Sequence, residues 1–239
     1  MNILTFVLSI GIFSFARTDD ATCYDKFEYV FKVMHRLSEV EKKIEHVQET
    51  KLDKEDTGSL NSQGDTFTRW GRSSCPNETK LIYDGFAGGS DHNAKGGAAN
   101  YVCLHKQPTW KDNNVYKSQN NLMHGAEFQT SGTNWQKFHD HDIPCVVCNV
   151  PSSNIVMIPG RNVCHEKHSF QYSGYLMSCH DSHPSATEFV CVDDEPEVFP
   201  DSSANHNGKL FYFVYAKCGS LKCPPYEEGK KITCVVCSF

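Results

Sequence analysis

Twelve cysteines and twelve histidines are the residues of this chain best equipped for chemistry, and their spacing narrows what that chemistry is. Thiols and imidazoles bind soft metals, run thiol–disulfide exchange, pair as nucleophile and base, or are simply crosslinked. The cysteines include two matched sets, Cys75, Cys103, Cys145 and Cys148, then Cys164, Cys191, Cys234 and Cys237. Each set closes on Cys-Val-Val-Cys. A redox Cys-x-x-Cys opens a helix after a strand, whereas these lie in β-branched runs, so redox catalysis is not expected. The two pairs also stand much further apart than the roughly 15 to 20 residues of a zinc ribbon. A local metal candidate comes from Cys164/His168 and Cys179/His183, each at i and i+4, which makes His168, Cys179 and His183 possible zinc ligands. Cys164 belongs to the repeated set, while Cys179 has no counterpart in the first half and is spare. His139 and His141 beside Cys145 form a similar group that the second copy lacks. The acidic stretch Asp193, Asp194, Glu195, Glu197 reads as a solvated turn around Pro196 rather than a calcium site. No Ser-His-Asp spacing, paired carboxylates or phosphate-binding glycine loop stands out. The chain is therefore read as non-enzymatic and without a cofactor.

The elements that position these residues are written twice. Gly71-Arg72-Ser73-Ser74-Cys75 matches Gly160-Arg161-Asn162-Val163-Cys164, and Tyr83-Asp84-Gly85-Phe86 matches Tyr172-Ser173-Gly174-Tyr175. Tyr101-Val102-Cys103 matches Phe189-Val190-Cys191. The offset is 89 residues, falling to 88 at Cys103/Cys191 and returning to 89 at the closing pairs. Leu81–Tyr83, 101–104, 211–215 and 232–236 are short, aromatic or β-branched, and Gly, Pro, Asn and Asp bound them, which predicts strands. Gly85–Ser90 and Lys95–Ala98 read as loops or bulges. The expected fold is mainly β: two tandem subdomains, residues 70–152 and 153–239, each carrying one cysteine set. Two sulfurs of Cys-Val-Val-Cys share a face only in a bent strand, so they more easily reach two different earlier cysteines than each other. Spacing alone leaves three pairings open in each half. Cys218 and Cys223, enclosing Gly-Ser-Leu-Lys, predict a small disulfide loop.

Residues 1–16 read as a signal peptide: a mostly apolar run ending at Ser14-Phe15-Ala16, too short for the about 20 residues that span a bilayer. An exported chain with an even cysteine count predicts disulfides and an extracellular location. Asn77-Glu78-Thr79 is a candidate N-glycosylation site at Asn77. A net charge of −6 offers no footprint for nucleic acid, and no membrane insertion is expected. After a short segment, 17–25, residues 26–50 carry a seven-residue period. Val30, Leu37 and Ile44 fall on one seam, Val33, Val40 and Val47 on the other, with charges between. β-Branched residues at both positions favour a coiled coil of three or more strands. The register places Cys23 on the same seam, as a candidate interchain disulfide. Residues 51–69 have no period and little to bury, and read as a flexible linker.

Several motifs together carry a resemblance. Met157-Ile158-Pro159-Gly160-Arg161, Tyr172-Ser173-Gly174-Tyr175-Leu176-Met177, Cys218-Gly219-Ser220-Leu221, Cys223-Pro224-Pro225-Tyr226 and the Cys-Val-Val-Cys pairs resemble the short-chain, spongin-type collagens of invertebrates. The resemblance covers about residues 70–239. More distantly, the duplicated frame is similar to the carboxy-terminal noncollagenous domain of type IV collagen, two tandem β subdomains that drive trimer assembly. It implies the pairs Cys75–Cys148, Cys103–Cys145, Cys164–Cys237 and Cys191–Cys234, with Cys218–Cys223 as an inner loop. The chain has no Gly-X-Y run, so it cannot form collagen triple helix itself.

These readings lead to a secreted, non-enzymatic glycoprotein of the extracellular matrix or of adhesion. It would self-associate as a homo-oligomer, as a trimer, and meet matrix proteins or glycans. A multivalent soluble protein recognising glycans or microbial surfaces is the alternative, with Tyr175 to His183 as its contact surface.

Overall fold

The computed structural model describes residues 29–42, 64–111, 121–152 and 154–239. The chain divides into two compact units, Met1–Asn61 and Ser62–Phe239. In the first, residues 29–42 form an α-helix, α1, within the span where the seven-residue period predicts one. Val30, Val33, Leu37 and Val40 are all solvent-exposed along it, the best covered being Val33 at 39%. The signal-peptide, Cys23 and linker readings before residue 64 otherwise lie outside the described residues.

The second unit is mainly β and carries five disulfides. Its first half contributes β1 (Asp65–Trp70), β2 (Lys80–Gly89), β3 (Val102–His105), β4 (His124–Phe128) and β5 (Pro144–Val150). The second contributes β6 (Ile155–Pro159), β7 (Ser169–Ser178), β8 (Val190–Asp193), β9 (Lys209–Phe213) and β10 (Thr233–Ser238). The ladders recur at the sequence offset. Trp70 faces Cys145 as Pro159 faces Cys234, Gly85 faces Cys145 as Gly174 faces Cys234, and Ala87 faces Cys103 as Leu176 faces Cys191.

Two ladders cross between the halves. β8 lies parallel to β1 at Trp70 and Val192, and β4 lies parallel to β9. Because β9 also pairs with β7, the strands β7-β8-β1-β5-β2-β4-β9 close on themselves. β3 hangs off β2, and β6 off β10; each pairs with one strand only among the described residues. The halves share both cores. Trp70, Tyr101, Phe128 and Trp135 meet Met177, Val192, Phe211 and Phe213 in one; Phe67, Val146 and Cys148 meet Tyr172, Cys191 and Cys234 in the other. Separate burial in 70–152 and 153–239 is thus not what this unit does.

Two sequence expectations need correction here. Strand β1 begins at Asp65, inside the stretch 51–69 read as linker, and its Thr-Phe-Thr-Arg-Trp is too polar to announce itself. It is held by a complete antiparallel register against β5, with Phe67 and Trp70 sent to opposite cores. Gly85–Gly89, read as loop, continues β2. These glycines mark a close crossing of strands rather than a turn: a Cβ on Gly85 would lie 2.2 Å from the Leu104 carbonyl oxygen, and on Gly174 1.7 Å from that of Val192.

Candidate functional site

Strand alternation decides what the cysteines do. β5 stays regular against β1, so Cys145 and Cys148 face opposite cores, and each bonds a different earlier cysteine. The crosslinks are Cys75–Cys148, Cys103–Cys145, Cys164–Cys237, Cys191–Cys234 and Cys218–Cys223. They are the pairs the collagen resemblance implies. Cys179 is the free cysteine of the described residues, and it is buried.

The acidic stretch is committed to joining the halves. Asp193 is buried and takes Arg69 Nε at 2.7 Å and Nη2 at 2.6 Å across the β1–β8 seam. Beside it, Glu197 accepts the Ser73 backbone N–H at 3.0 Å and lies 3.2 Å from Arg72 Nε, while the Glu197 N–H donates to the Gly71 carbonyl. Asp193 and Glu197 are therefore seam groups, and the burial of Asp193 corrects the reading of this stretch as a solvated turn.

A cleft of about 1030 Å³ opens where the segment after β7 meets β9 and the loop after β4. Cys179, His180, His183 and Ser185 come from the first of these, Tyr212 and Tyr215 from β9 and its extension, and Gln129, Thr133 and His139 from the third. Cys179 Sγ lies 3.1 Å from His183 Nδ1. The His183 ring packs on His92 at 4.8 Å between centroids, on His180 at 5.6 Å and on Tyr212 at 5.7 Å. Burial pushes the Cys179 thiol up from its ordinary value. Burial also lowers the His183 imidazole, and the neighbouring His92 and His180 act in the same direction. Both shifts favour neutral thiol beside neutral imidazole over the thiolate–imidazolium pair that nucleophilic catalysis uses. No carboxylate hydrogen-bonds His183 among the described residues to orient it as a base.

The structure joins Cys179 to His183 and separates both from the third suggested zinc ligand. His168 stacks on Phe239 at 4.7 Å between ring centroids. No three His, Cys, Asp or Glu side chains gather as a metal set among the described residues. Tyr175 is likewise no free contact residue, because Trp135 and Phe213 flank its ring and Lys231 approaches it at 5.4 Å. Of the stretch 175–183, only the part from Ser178 onward lines the cleft.

Reading from sequence missed Ser185, Phe189 and Tyr212. Ser185 is 2% exposed, and its hydroxyl has no hydrogen-bond partner among the described residues, although its backbone N–H donates to the His92 carbonyl at 3.0 Å. Nothing about a serine between Pro184 and Ala186 signals that position. Asn77 is exposed in the turn before β2, with Thr79 Oγ1 donating to the Pro76 carbonyl at 2.6 Å. No family model matches this chain, and no curated protein matches it. No described helix is long and apolar enough to cross a membrane.

Proposed function

We propose that this is a secreted, non-enzymatic glycoprotein of matrix or adhesion type, self-assembled as a trimer through α1 and through its head of two homologous β subdomains. The observation that carries the reading is an unused copy of an internal seam. Inside one head, β1 pairs with β8, and Gly71-Arg72-Ser73 meets Glu195 and Glu197. By the repeat, β6 stands in for β1 and β3 for β8, and each of them is an edge among the described residues. Edge strands of one chain are open to pairing with another. A β6 edge on one copy meeting a β3 edge on the next is a head-to-tail contact, which closes into a ring when the rotation between copies allows and otherwise runs on as a filament. Pro159 and Arg161 would meet Leu104 and Gln107 of a second copy, in the places of Trp70, Arg72, Val192 and Glu195. The exposed valine and leucine seam of α1 supports the same stoichiometry, since β-branched residues at both seam positions disfavour a two-stranded form. Five disulfides support an oxidising, extracellular setting.

Sedimentation of the secreted full-length chain tests this. The wild type is expected at three times the chain mass. Leu37→Asp with Val40→Asp, which place charges on the α1 seam, should lower the association constant at least about tenfold, and Arg161→Glu should weaken it independently. A wild-type protein that sediments as a monomer at micromolar concentration removes the reading. Peptide-N-glycosidase digestion is expected to lower the mass of each polypeptide by one glycan, and Asn77→Gln to abolish that shift.

A second reading is favoured by the cleft. A wide opening with exposed aromatic rings, Phe189 and Tyr215, supports multivalent recognition, in which three weak sites act together.

A further inference from the structure

The joint between the two halves of the head gathers three imidazoles from two distant segments. His92 comes from the loop 90–100 between β2 and β3, while His180 and His183 follow β7. The His183 ring lies 4.8 Å from that of His92 and 5.6 Å from that of His180, between centroids. His92 is where the loop is fastened to the second half. Its N–H donates to the Gly208 carbonyl at 3.0 Å, and its own carbonyl accepts the Ser185 N–H at 3.0 Å. Its ring Nδ1 lies 2.8 Å from the Asn207 carbonyl oxygen, which can only accept, so Nδ1 carries the proton. Asp91 stands 3.6 Å from the His92 ring and Asp181 3.1 Å from that of His180. No carboxylate stands within ion-pair distance of His183 among the described residues. Its Nδ1 faces the Cys179 thiol at 3.1 Å instead, and burial keeps that thiol protonated. A proton on His183 Nδ1 would therefore set donor against donor, between two other imidazoles.

We propose that these rings form an acid-released latch: protonation of His183 opens the joint at His92, freeing the middle of loop 90–100 and the segment 179–187 while the strands stay folded. Because residues 179–187 wall the cleft, opening the latch reshapes it. The device rests on neither the assembly nor the recognition reading. Burial lowers the proton affinity of His183, and His92 and His180 act in the same direction against a smaller opposing effect of Asp91. In the open form the ring meets water and regains the ordinary histidine value of about 6.5. The open form thus binds more protons than the closed one. Opening gains up to about tenfold per pH unit as pH falls below that value, until His183 is protonated in the closed form too. The other ionisable groups around the joint are held by their own partners or do not lose charge on acidification. Tyr212 is raised by burial, with Cys179 and Asp140 adding to it, so it stays neutral. Lys209 donates to the Ala98 carbonyl at 3.2 Å, and Glu188 accepts the Tyr101 N–H at 2.8 Å; these hold the far end of the loop. Across the cleft, His139 Nδ1 accepts the Thr130 N–H at 3.2 Å, with Asp140 3.6 Å from its Nε2.

The test is hydrogen exchange read by mass spectrometry on the full-length secreted chain, at about pH 7.5, 6.5 and 5.5, with rates corrected for the intrinsic effect of pH. Peptides covering 90–97 and 179–187 should lose about fivefold to tenfold of their protection between the two lower values and regain it at the highest, while β5 and β10 keep theirs. His183→Gln should remove that pH dependence. If this variant is open at every pH, His180→Gln decides, since that ring is 49% exposed and its loss spares the fold. Removing it takes a like charge from beside His183 and should shrink the acid loss. A flat wild-type profile overturns the latch, and so does a loss that β5 and β10 share, which is general acid unfolding. An unchanged acid loss in His183→Gln, or in His180→Gln where that variant decides, overturns it as well. The same exchange at about pH 7.5 with and without a chelator completes the test. Protection that falls on adding the chelator shows a metal holding the joint and overturns the latch; unaltered protection supports it.

Discussion

Replacing Cys75 and Cys148 together by alanine lowers the stability of the head by about 4 kcal/mol, the value the chain-entropy account gives for a closed loop of this size. The two residues are 73 apart in sequence, and their Cα atoms are 5.8 Å apart in the fold. Opening that loop returns conformational freedom to the unfolded chain, and the alanines also vacate sulfur volume at Cys148, which is fully buried. The Cys164–Cys237 crosslink has the same separation, so its removal should cost a similar amount. Cys218–Cys223 spans only 5 residues, and its double alanine variant should lose about 2 kcal/mol. Urea unfolding of the three double variants gives the ranking directly. Equal midpoints for the long-loop and short-loop variants would show that chain entropy does not govern these crosslinks.

Asp193→Ala is expected to cost about 3–5 kcal/mol, because it strands the Arg69 guanidinium in the interior. The two side chains are only 13% and 3% exposed, and Arg69 has few ways back to water. Its Nη1 donates to the Ser74 carbonyl at 3.0 Å and its guanidinium sits 5.6 Å over the Tyr172 ring, so the charge would stay where it is. Asp193 Oδ1 also accepts the Glu195 N–H at 3.0 Å, and the substitution leaves that donor short of a partner. The variant Arg69→Met with Asp193→Leu should regain most of the loss, since a buried ion pair stabilises little over an apolar pair of similar volume. A double-mutant cycle read by chemical unfolding measures the coupling. If Asp193→Ala costs less than about 1 kcal/mol, the seam between β1 and β8 does not depend on this pair.

Local patterns announced the parts of the structure that depend on neighbours in sequence. The helix within 26–50 follows from its period, and β2, β3, β9 and β10 all overlap apolar or aromatic runs that propensity favours. Polar or glycine-rich strands were hidden for an equally local reason. β1 contains two threonines and an arginine, and β2 ends in Gly-Phe-Ala-Gly-Gly; both are strands because a partner strand completes them, and only the register shows the partner. Cys179 stood out in the sequence as a cysteine without a counterpart, and His183 by its spacing from it. The residues that make their surroundings into a cleft did not, because Gln129, Thr133 and Tyr212 come from distant strands and loops.

By itself, the order of residues determined the duplicated cysteine frame, the β character of the head and the apolar seam of α1, since each is a pattern of spacing along one stretch of chain. Tertiary structure decided how the halves combine: the parallel β1–β8 and β4–β9 contacts, the Arg69–Asp193 pair across 124 residues, and the cleft with its unpartnered Ser185. The physical reason is that a contact between residues so far apart imposes no periodicity on either segment. Only the closing of the chain brings charge to charge across that distance.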